Sequence, residues 1–379
     1  MSAPKLEIRL DLIRHNTRNL VGRLGDRGID VCGVTKATLG SREIAAAMLA
    51  GGVTSLGESR IENVEALRRA GVNSEIMLVR SPMPSQVERV VSAADLSLTT
   101  EFEVIYQLSV SARQQGRRHG VVLMVELGDL REGIMPDDLL KVASDVLELP
   151  GVVLRGIGTN LACHSGVVPD DFNMAELSAL ANSLEATLGV ELDIVSGGNS
   201  AHLDWVLNAG SAIGRINHLR LGESILLGLE PLRRSVPDGL KTDAFTLFGE
   251  VIESKHKPFR PRGNLAQTAF GQTRLAQATR GAGTRVIVAL GRQDVDTDGL
   301  FPPAGYEILG ASSDHLLLTT YSDPPSVGSE LRFGLNYSAL VRAMTSPFIS
   351  RQFVDLDPEV AIVAPVAWPI RGTWVRTTH

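Results

Sequence analysis

A single lysine, Lys36, ends the apolar, β-branched run DVCGVTK and is followed at once by the small residues and glycine of ATLG. A lysine amine held beside apolar walls has a lowered pKa and becomes a nucleophile towards carbonyl groups, as a Schiff base requires. Two later stretches suit a phosphate group. SGGNS offers flexible backbone amides and the Ser200 hydroxyl, and RLGES offers the backbone N–H groups of Gly222 and Glu223. With an arginine nearby, this combination indicates pyridoxal 5′-phosphate as the cofactor.

Each of these signals also has a purely structural interpretation. A lone lysine at a strand end is more often a surface group whose stem packs on apolar neighbours. GGNS is usually only a turn, and Arg131 in GDLREG is more often a solvated loop charge or an ion-pair partner. What favours a site is that these groups all fall at the ends of successive predicted strands.

Short apolar or β-branched runs recur from residue 30 to about residue 230, and most are separated by stretches with apolar residues three and four positions apart. We predict strands at IDVCGVTK, VTSLGE, EIMLVR, DLSLTT, GVVLMVEL, VVLRGIGT, ELDIVSGG and HLRLG, and helices at SREIAAAMLAGG, RIENVEALRRAG, EFEVIYQLSVSARQQGR and DFNMAELSALANSLEATLG. Eight such units predict an α/β fold, a closed (β/α)8 barrel of the TIM type over residues 1–237, whose active face lies at the strand C-terminal ends. An open doubly wound sheet is the alternative.

Near residue 240 the pattern changes to β-rich runs separated by Pro, Gly and Asp turns, among them DAFTLFGEVIESKHKP and YEILGASSDHLLLTTY. We therefore predict a second, mostly β domain over residues 238–379. Within it, residues 259–284 form a long polar connection that is either mobile or part of a site.

Composition narrows the class of protein. The 379 residues carry a net charge of −6 and no run of Lys or Arg, which argues against a nucleic-acid or anionic-membrane partner. The two cysteines, Cys32 and Cys163, do not make a disulfide framework, the N-terminal segment has no apolar signal core, and no stretch reaches ~18 apolar residues. We expect a cytoplasmic protein.

Nine motifs occur in order over nearly the whole chain: VTKATLGS, LGESRIEN, VELGDLREGI, SGGNS, LRLGESILLG, DAFTL, ALGRQDVD, GASSDHLLL and LNYSALVRAMTSPF. In them the sequence resembles the fold-type III pyridoxal-phosphate enzymes, the alanine racemase-like superfamily, and more closely the alanine/ornithine racemase branch. The resemblance implies an enzyme that interconverts L and D amino acids by removing and returning the α-proton. Its small-molecule substrate would be ornithine or another basic amino acid.

The resemblance also implies a role for each matching residue. Lys36 would hold the cofactor covalently and serve as the base on one face of the substrate, Arg220 would face the pyridine nitrogen, and Arg131 would bind the substrate carboxylate. Asn160 would lie beside the cofactor ring. The phosphate would be bound by Asn199, Ser200, Gly222, Glu223 and Tyr337. A head-to-tail homodimer is implied, in which the second domain of one subunit completes the site of another.

One departure from the family concerns the second base, which in alanine racemases is a tyrosine of the partner subunit. Phe270 in TAFGQT stands at the corresponding place and cannot transfer a proton. We predict that His315 in SSDHL is the second catalytic group and that Asp314 orients it and belongs, with Arg131, to the substrate-binding residues. A structural histidine in a β turn is the alternative, and the further candidates are Tyr337 and His164.

A second departure concerns the carboxylate-binding arginine. Alanine racemases carry a modified lysine shortly before it, whereas this chain has Val125. We therefore expect Glu126 or Glu132 to orient Arg131. The family's phosphate-binding tyrosine just after the Schiff-base lysine is also missing, so the pocket differs in detail from that of an alanine enzyme.

The distal ammonium of an ornithine-type substrate needs a carboxylate partner. The acidic candidates near the expected rim are Asp129, Glu132, Asp294, Asp296 and Asp298. The sequence predicts no metal site, because GRQDVDTDG lacks the setting and the closing glutamate of a calcium loop. Two alternatives stay open: another fold-type III enzyme, such as a decarboxylase or aldolase, and a non-catalytic pyridoxal-phosphate carrier.

Overall fold

The computed structural model describes residues 4–208, 213–258, 261–267, 270, 282–321 and 323–356. Strand β1 (Lys5–Arg9) and helix α1 (Leu10–Gly25) come first, and eight parallel strands then close into a barrel. These are β2 to β9: Asp30–Val34, Ser55–Glu58, Glu75–Leu78, Leu96–Thr99, His119–Met124, Val152–Gly158, Ile194–Gly198 and His218–Leu221. β9 pairs with β2, with Cys32 opposite Arg220. The predicted (β/α)8 barrel is therefore confirmed, and the open-sheet alternative is excluded.

Helices cover the outside of the barrel because each presents an apolar face to the strands. After α1, they are α2 to α9: Arg42–Ala50, Ile61–Arg69, Val87–Ala93, Phe102–Gln114, Pro136–Leu147, Asp171–Leu188, Leu203–Asn208 and Glu223–Leu227. Two of them have side-chain caps at their starts: at α2 the Ser41 side chain accepts from the Ile44 N–H, and at α7 Asp170 and Asn173 form a reciprocal capping pair.

The barrel interior is filled by side chains, so the barrel is a packed core rather than a pore. A separate cluster of buried residues occupies it, formed by Met77, Leu96, Leu98, Val122, Met124 and Ile194. Leu98 and Met124 also line the cavity at the strand C-terminal ends. The apolar strand residues thus form the floor of that cavity.

After the barrel, the described residues form, together with β1, a mostly antiparallel eight-stranded sheet. Its strands are β1 and β10 to β16: Phe245–Pro258, Ala282–Val288, Leu300–Phe301, Tyr306–Ala311, Leu316–Thr320, Glu330–Leu335 and Ser350–Val354. The predicted β-rich second unit is confirmed. β1, however, pairs antiparallel with β10 and parallel with β16, so the N-terminal strand belongs to this sheet. The division into residues 1–237 and 238–379 stays a prediction.

Helix α10 (Tyr337–Thr345) connects the two units. It packs against the turn that follows β2, and Tyr337 at its first position lines the barrel cavity. The Asn336 side chain caps the helix by accepting from the Ala339 N–H at 2.9 Å. Within the described part of the chain, no helix has the length and apolar character needed to cross a membrane.

Candidate active site

A cavity of about 650 Å³ lies at the C-terminal ends of the barrel strands. The predicted cofactor- and substrate-binding residues that line it are Lys36, Arg131, Asn160, Asn199, Ser200, Arg220, Gly222, Glu223 and Tyr337. Eight come from segments that follow or end barrel strands, and Tyr337 comes from α10. The structure therefore brings these residues together around one space.

Lys36 reaches the cavity because the chain turns sharply after β2. Leu39 and Gly40 both adopt left-handed backbone angles, with φ of 54° and 61°. Ala37 and Thr38 turn into the core while the Lys36 side chain opens onto the cavity. Protein surrounds the amine on its other sides, so burial lowers its pKa, and the positive charges of Arg131 and Arg220 act in the same direction. A lysine of this kind is a better nucleophile than a surface lysine.

Arg220 is buried at the end of β9 and is held on both sides of its guanidinium. Nη2 donates to the Thr159 carbonyl at 2.8 Å, and Nη1 donates to the Ser196 hydroxyl. Burial lowers its pKa to about 10, so it keeps its charge at neutral pH. Ser196 Oγ also lies 2.9 Å from Nδ1 of His218, whose pKa is lowered to about 3 by burial and by Arg220. The serine hydroxyl can therefore accept from the arginine and donate to a neutral imidazole.

The turn after β8 places Ser200 at the other end of the cavity. Its hydroxyl lies 3.0 Å from Ser224 Oγ and accepts from the N–H groups of Ser224 at 3.2 Å and Gly222 at 3.4 Å. Asn199 fixes this turn, because its side chain accepts from the Ala201 N–H at 2.8 Å. Hydroxyl and backbone N–H groups thus converge in the way that phosphate oxygens require.

Glycine is required at position 198 for two reasons. Its φ is +146°, and a Cβ there would lie 2.0 Å from the buried ring of His202. Nδ1 of that ring accepts from the Asn199 N–H at 3.3 Å. The glycine pair of SGGNS therefore lets the chain pass close to His202 on the way to Ser200.

Arg131 lies in a loop that the chain holds by its own acidic side chains. The Glu126 carboxylate accepts from the Gly128 and Leu130 N–H groups, the latter at 3.0 Å. Arg131 pairs through Nε and Nη2 with the two carboxylate oxygens of Glu132, which also lines the cavity. Glu132 thus fixes the side chain of Arg131, and Glu126 fixes the loop that carries it.

Asp129 joins this loop to the loop that follows β7. Its carboxylate accepts the backbone N–H groups of Cys163 at 3.2 Å, His164 at 2.9 Å and Ser165 at 3.1 Å. Burial alone would raise the pKa of the carboxyl, but these N–H groups outweigh burial and hold it below its usual value. These three hydrogen bonds use the carboxylate of Asp129. Asp129 is therefore not available to a substrate ammonium, although the sequence had made it a candidate for that role.

His315 and Asp314 do not lie with the other predicted site residues. They occupy the turn between β13 and β14, where His315 Nδ1 and Asp314 Oδ1 are 2.7 Å apart, and neither lines the cavity of its own chain. Phe270 is exposed, and its ring centre is 5.2 Å from the Arg292 guanidinium. A role for His315 therefore requires a second subunit.

Three ionisable residues that line the cavity were not predicted from the sequence, namely Arg80, Cys163 and Arg234. Arg80 closely follows β4, just as Lys36 follows β2, so the strand-end rule could have identified it. Arg234 lies at a left-handed φ of 57° and pairs with Glu223. No local sequence signal places Arg234 beside Glu223. Within the described residues, no group of three or more His, Cys, Asp or Glu is arranged to hold a metal ion.

The family model "Alanine racemase, N-terminal domain" matches residues 8–231. The chain belongs to the alanine racemase family. Among relatives of this family, the lysine racemase of Thermotoga maritima is 37% identical over 93% of this chain and 99% of its own length. The ornithine racemase of Acetoanaerobium sticklandii is 34% identical over the same shares. The resemblance found in the sequence is thus confirmed.

Solved structures of other proteins share the fold. The alanine racemase of Streptomyces lavendulae superposes with a TM-score of 0.74 at 19% identity, over 93% of this chain and 97% of that chain. The D-threonine aldolase of Filomicrobium marinum superposes with a TM-score of 0.70 at 15% identity, over 91% and 89%. At these identities the likeness concerns architecture, and it extends over both the barrel and the sheet.

Proposed function

We propose that this chain is a pyridoxal-phosphate-dependent racemase that interconverts the L and D forms of a basic amino acid, lysine or ornithine. The observation that carries the proposal is its full-length similarity, at 34% to 37% identity, to a lysine racemase and an ornithine racemase. The preference for a basic amino acid rests on these relatives. The cavity supplies the groups that such chemistry needs.

The cavity fits the cofactor. Nδ2 of Asn160 is buried and has no hydrogen-bond partner among the described residues, so an acceptor on a bound group would satisfy it. Lys36 would hold the cofactor covalently, and Arg220 would face the pyridine nitrogen. The phosphate would be bound by Asn199, Ser200, the backbone N–H groups of Gly222 and Glu223, and the Tyr337 hydroxyl. When bound, pyridoxal phosphate acidifies the α-hydrogen of an amino acid attached to it.

The side chains around that carbon have separate roles. Arg131 binds the substrate carboxylate with the part of its guanidinium that Glu132 leaves open. Arg220 keeps its charge, and a second positive charge opposite it would be costly, so Arg220 would leave the pyridine nitrogen of a bound cofactor unprotonated. The cofactor would then be a weak electron sink, which would favour fast return of a proton to the α-carbon. Lys36, with its lowered pKa, exchanges a proton on one face.

A head-to-tail homodimer belongs to the proposal, as does a cytoplasmic location. His315, paired with Asp314, stays a prediction for the second proton-transfer group, contributed by a second subunit. Static light scattering of the purified protein should give a mass near twice the 40.6 kDa of one chain. A monomer that is fully active would remove His315 from consideration.

The reaction itself can be tested in D₂O with single enantiomers of lysine, ornithine, arginine, alanine and serine. We expect optical rotation to decay and deuterium to enter the α-position of an otherwise unchanged lysine or ornithine. A new product would indicate a decarboxylase or an aldolase instead. No change with any substrate would favour a non-catalytic carrier.

A further inference from the structure

Racemisation needs a proton-transfer group on each face of the α-carbon, and the described part of this chain offers few. Arginine side chains do not give up a proton in proteins, and the two lining glutamates, Glu132 and Glu223, each pair with an arginine. Burial raises the pKa of Tyr337, so its hydroxyl stays protonated. Besides Lys36, the remaining ionisable group among the described lining residues is the thiol of Cys163.

Cys163 enters the cavity from a different side than Lys36. Lys36 follows β2, and Cys163 lies in the loop after β7, three strands away by the shorter way round the closed barrel. A ligand between them therefore has one side towards the amine and another towards the sulfur. Cys163 is a free, exposed thiol, and its Sγ lies 3.3 Å from Nδ2 of Asn199.

The loop of Cys163 is fixed rather than loose. Asp129 accepts the Cys163 N–H at 3.2 Å and those of the next two residues, so the backbone that carries the thiol is held to the Arg131 loop. Asn199 Nδ2 also donates to the carbonyl of Leu161 at 2.9 Å and to Asn160 Oδ1 at 3.1 Å. The same amide thus connects the sulfur to the side chain of Asn160, whose Nδ2 is buried without a partner among the described residues.

Three cationic side chains lie near the sulfur. Lys36, Arg131 and Arg220 each interact electrostatically with Cys163. The thiolate is the form of a cysteine side chain that accepts a proton. Thiols as a class titrate close enough to neutral pH to serve as both acid and base.

We propose that Cys163 is the second acid–base residue of the racemase, acting on the face of the α-carbon opposite Lys36. This inference rests on the function proposed above. In one direction the thiolate takes the α-proton: the C–H bond breaks, an S–H bond forms, and protonated Lys36 gives its proton to the same carbon from the other face. In the opposite direction the two groups exchange roles, so protons balance over the cycle.

The test uses the cofactor-loaded wild type and the variants Cys163→Ala and Cys163→Ser with each enantiomer of ornithine and lysine in D₂O. Inversion should fall by about 100-fold or more in Cys163→Ala. Lys36 still serves one face, so one enantiomer should continue to gain α-deuterium without inverting. Inversion within a few-fold of wild type, or loss of exchange for both enantiomers, would overturn the proposal.

Alkylation gives a second readout that does not depend on a variant folding. Iodoacetamide should label Cys163, stop inversion, and react more slowly when ornithine is present, with peptide mass spectrometry locating the label. Buried Cys32 is the internal control, since burial raises the pKa of its thiol to about 12. Full inversion by the labelled enzyme would refute the role of Cys163.

The variant His315→Asn separates the two candidates for the second face. One-face exchange without inversion in His315→Asn would overturn the assignment to Cys163 in favour of the second subunit. A wild-type protein that inverts none of the amino acids would refute the proposed function and this inference together. A Cys163→Ala variant that still racemises would refute only the inference.

Discussion

Ser200 shows how single side chains prepare the cavity for an anion. Its hydroxyl lies between the N–H groups of Gly222 and Ser224, which an incoming phosphate would meet together with it. We expect Ser200→Ala to weaken pyridoxal-phosphate binding by about tenfold, the worth of one hydrogen bond of ~1.4 kcal/mol. Equilibrium dialysis of the cofactor measures this. Ser178→Ala is a matched control, because Ser178 is also buried and hydrogen-bonded but lies on α7 away from the cavity. Equal losses in both variants would contradict the phosphate assignment.

Among single residues, the sequence predicted those whose side-chain direction follows from their position at the end of a strand. Lys36, Arg131 and Arg220 follow or end barrel strands, and strand C-terminal ends share one face of a barrel. Cys163 was missed because nothing local distinguishes a cavity thiol from a buried one. The orientation of Arg131 by Glu132 was one of two options in the sequence, and geometry was needed to decide.

Among the elements, the turn from β8 to Ser200 depends on Gly198. Gly198→Ala adds both backbone strain at φ +146° and a collision with the His202 ring. Gly166→Ala is the matched control, since Gly166 also has a positive φ, +74°, but open space around it. We expect Gly198→Ala to lower the free energy of unfolding by about 1–3 kcal/mol more than the control does. Urea denaturation measures both, and equal effects would show that the ring does not constrain this turn.

Asp129 holds two loops at the cavity together by accepting three backbone N–H groups. We expect Asp129→Asn to lower the free energy of unfolding by about 1–3 kcal/mol, because the amide leaves some of these donors unsatisfied. Asp145→Asn, which removes only an exposed pair with Lys141, should change stability far less. Thermal unfolding of the two variants makes the comparison. A neutral Asp129→Asn would mean that the loops are held by other contacts.

Helices and strands were predicted well wherever the sequence pattern that defines an element and the element it packs against lie close together in the chain. All eight barrel strands follow from apolar runs between amphipathic helices. The place of β1 did not follow, because it pairs with β10 and β16, more than 200 residues away, and a five-residue strand carries no signal for a distant partner.

For the whole molecule, buried histidines predict how stability depends on pH. Burial lowers the pKa of His119 to about 4 and of His202 and His218 to about 3, against about 6.5 in an unfolded chain. These rings stay neutral in the folded state, so the unfolded state binds more protons below pH 6.5. Each such proton lowers the free energy of unfolding by about 1.4 kcal/mol per pH unit. Urea midpoints should therefore fall steeply from pH 6.5 to pH 4. Constant midpoints over that range would mean that the rings are charged or exposed.

The sequence alone predicts least about which residues of the β-rich half lie at the cavity of their own chain. Tyr337 reaches the cavity of its own chain from α10, whereas His315 in the β13–β14 turn does not. Both residues come from the same β-rich half, and only the three-dimensional arrangement separates them.

A covalent bond between Lys36 and the cofactor is central to the proposed racemase chemistry. Reduction of the purified, cofactor-loaded protein with sodium borohydride, followed by digestion and peptide mass spectrometry, tests this bond directly. We predict a phosphopyridoxyl group on the peptide that contains Lys36 and its absence from the Lys36→Ala variant. A label on any other lysine, or an unmodified Lys36 in protein that retains the cofactor, would refute the proposed role of Lys36.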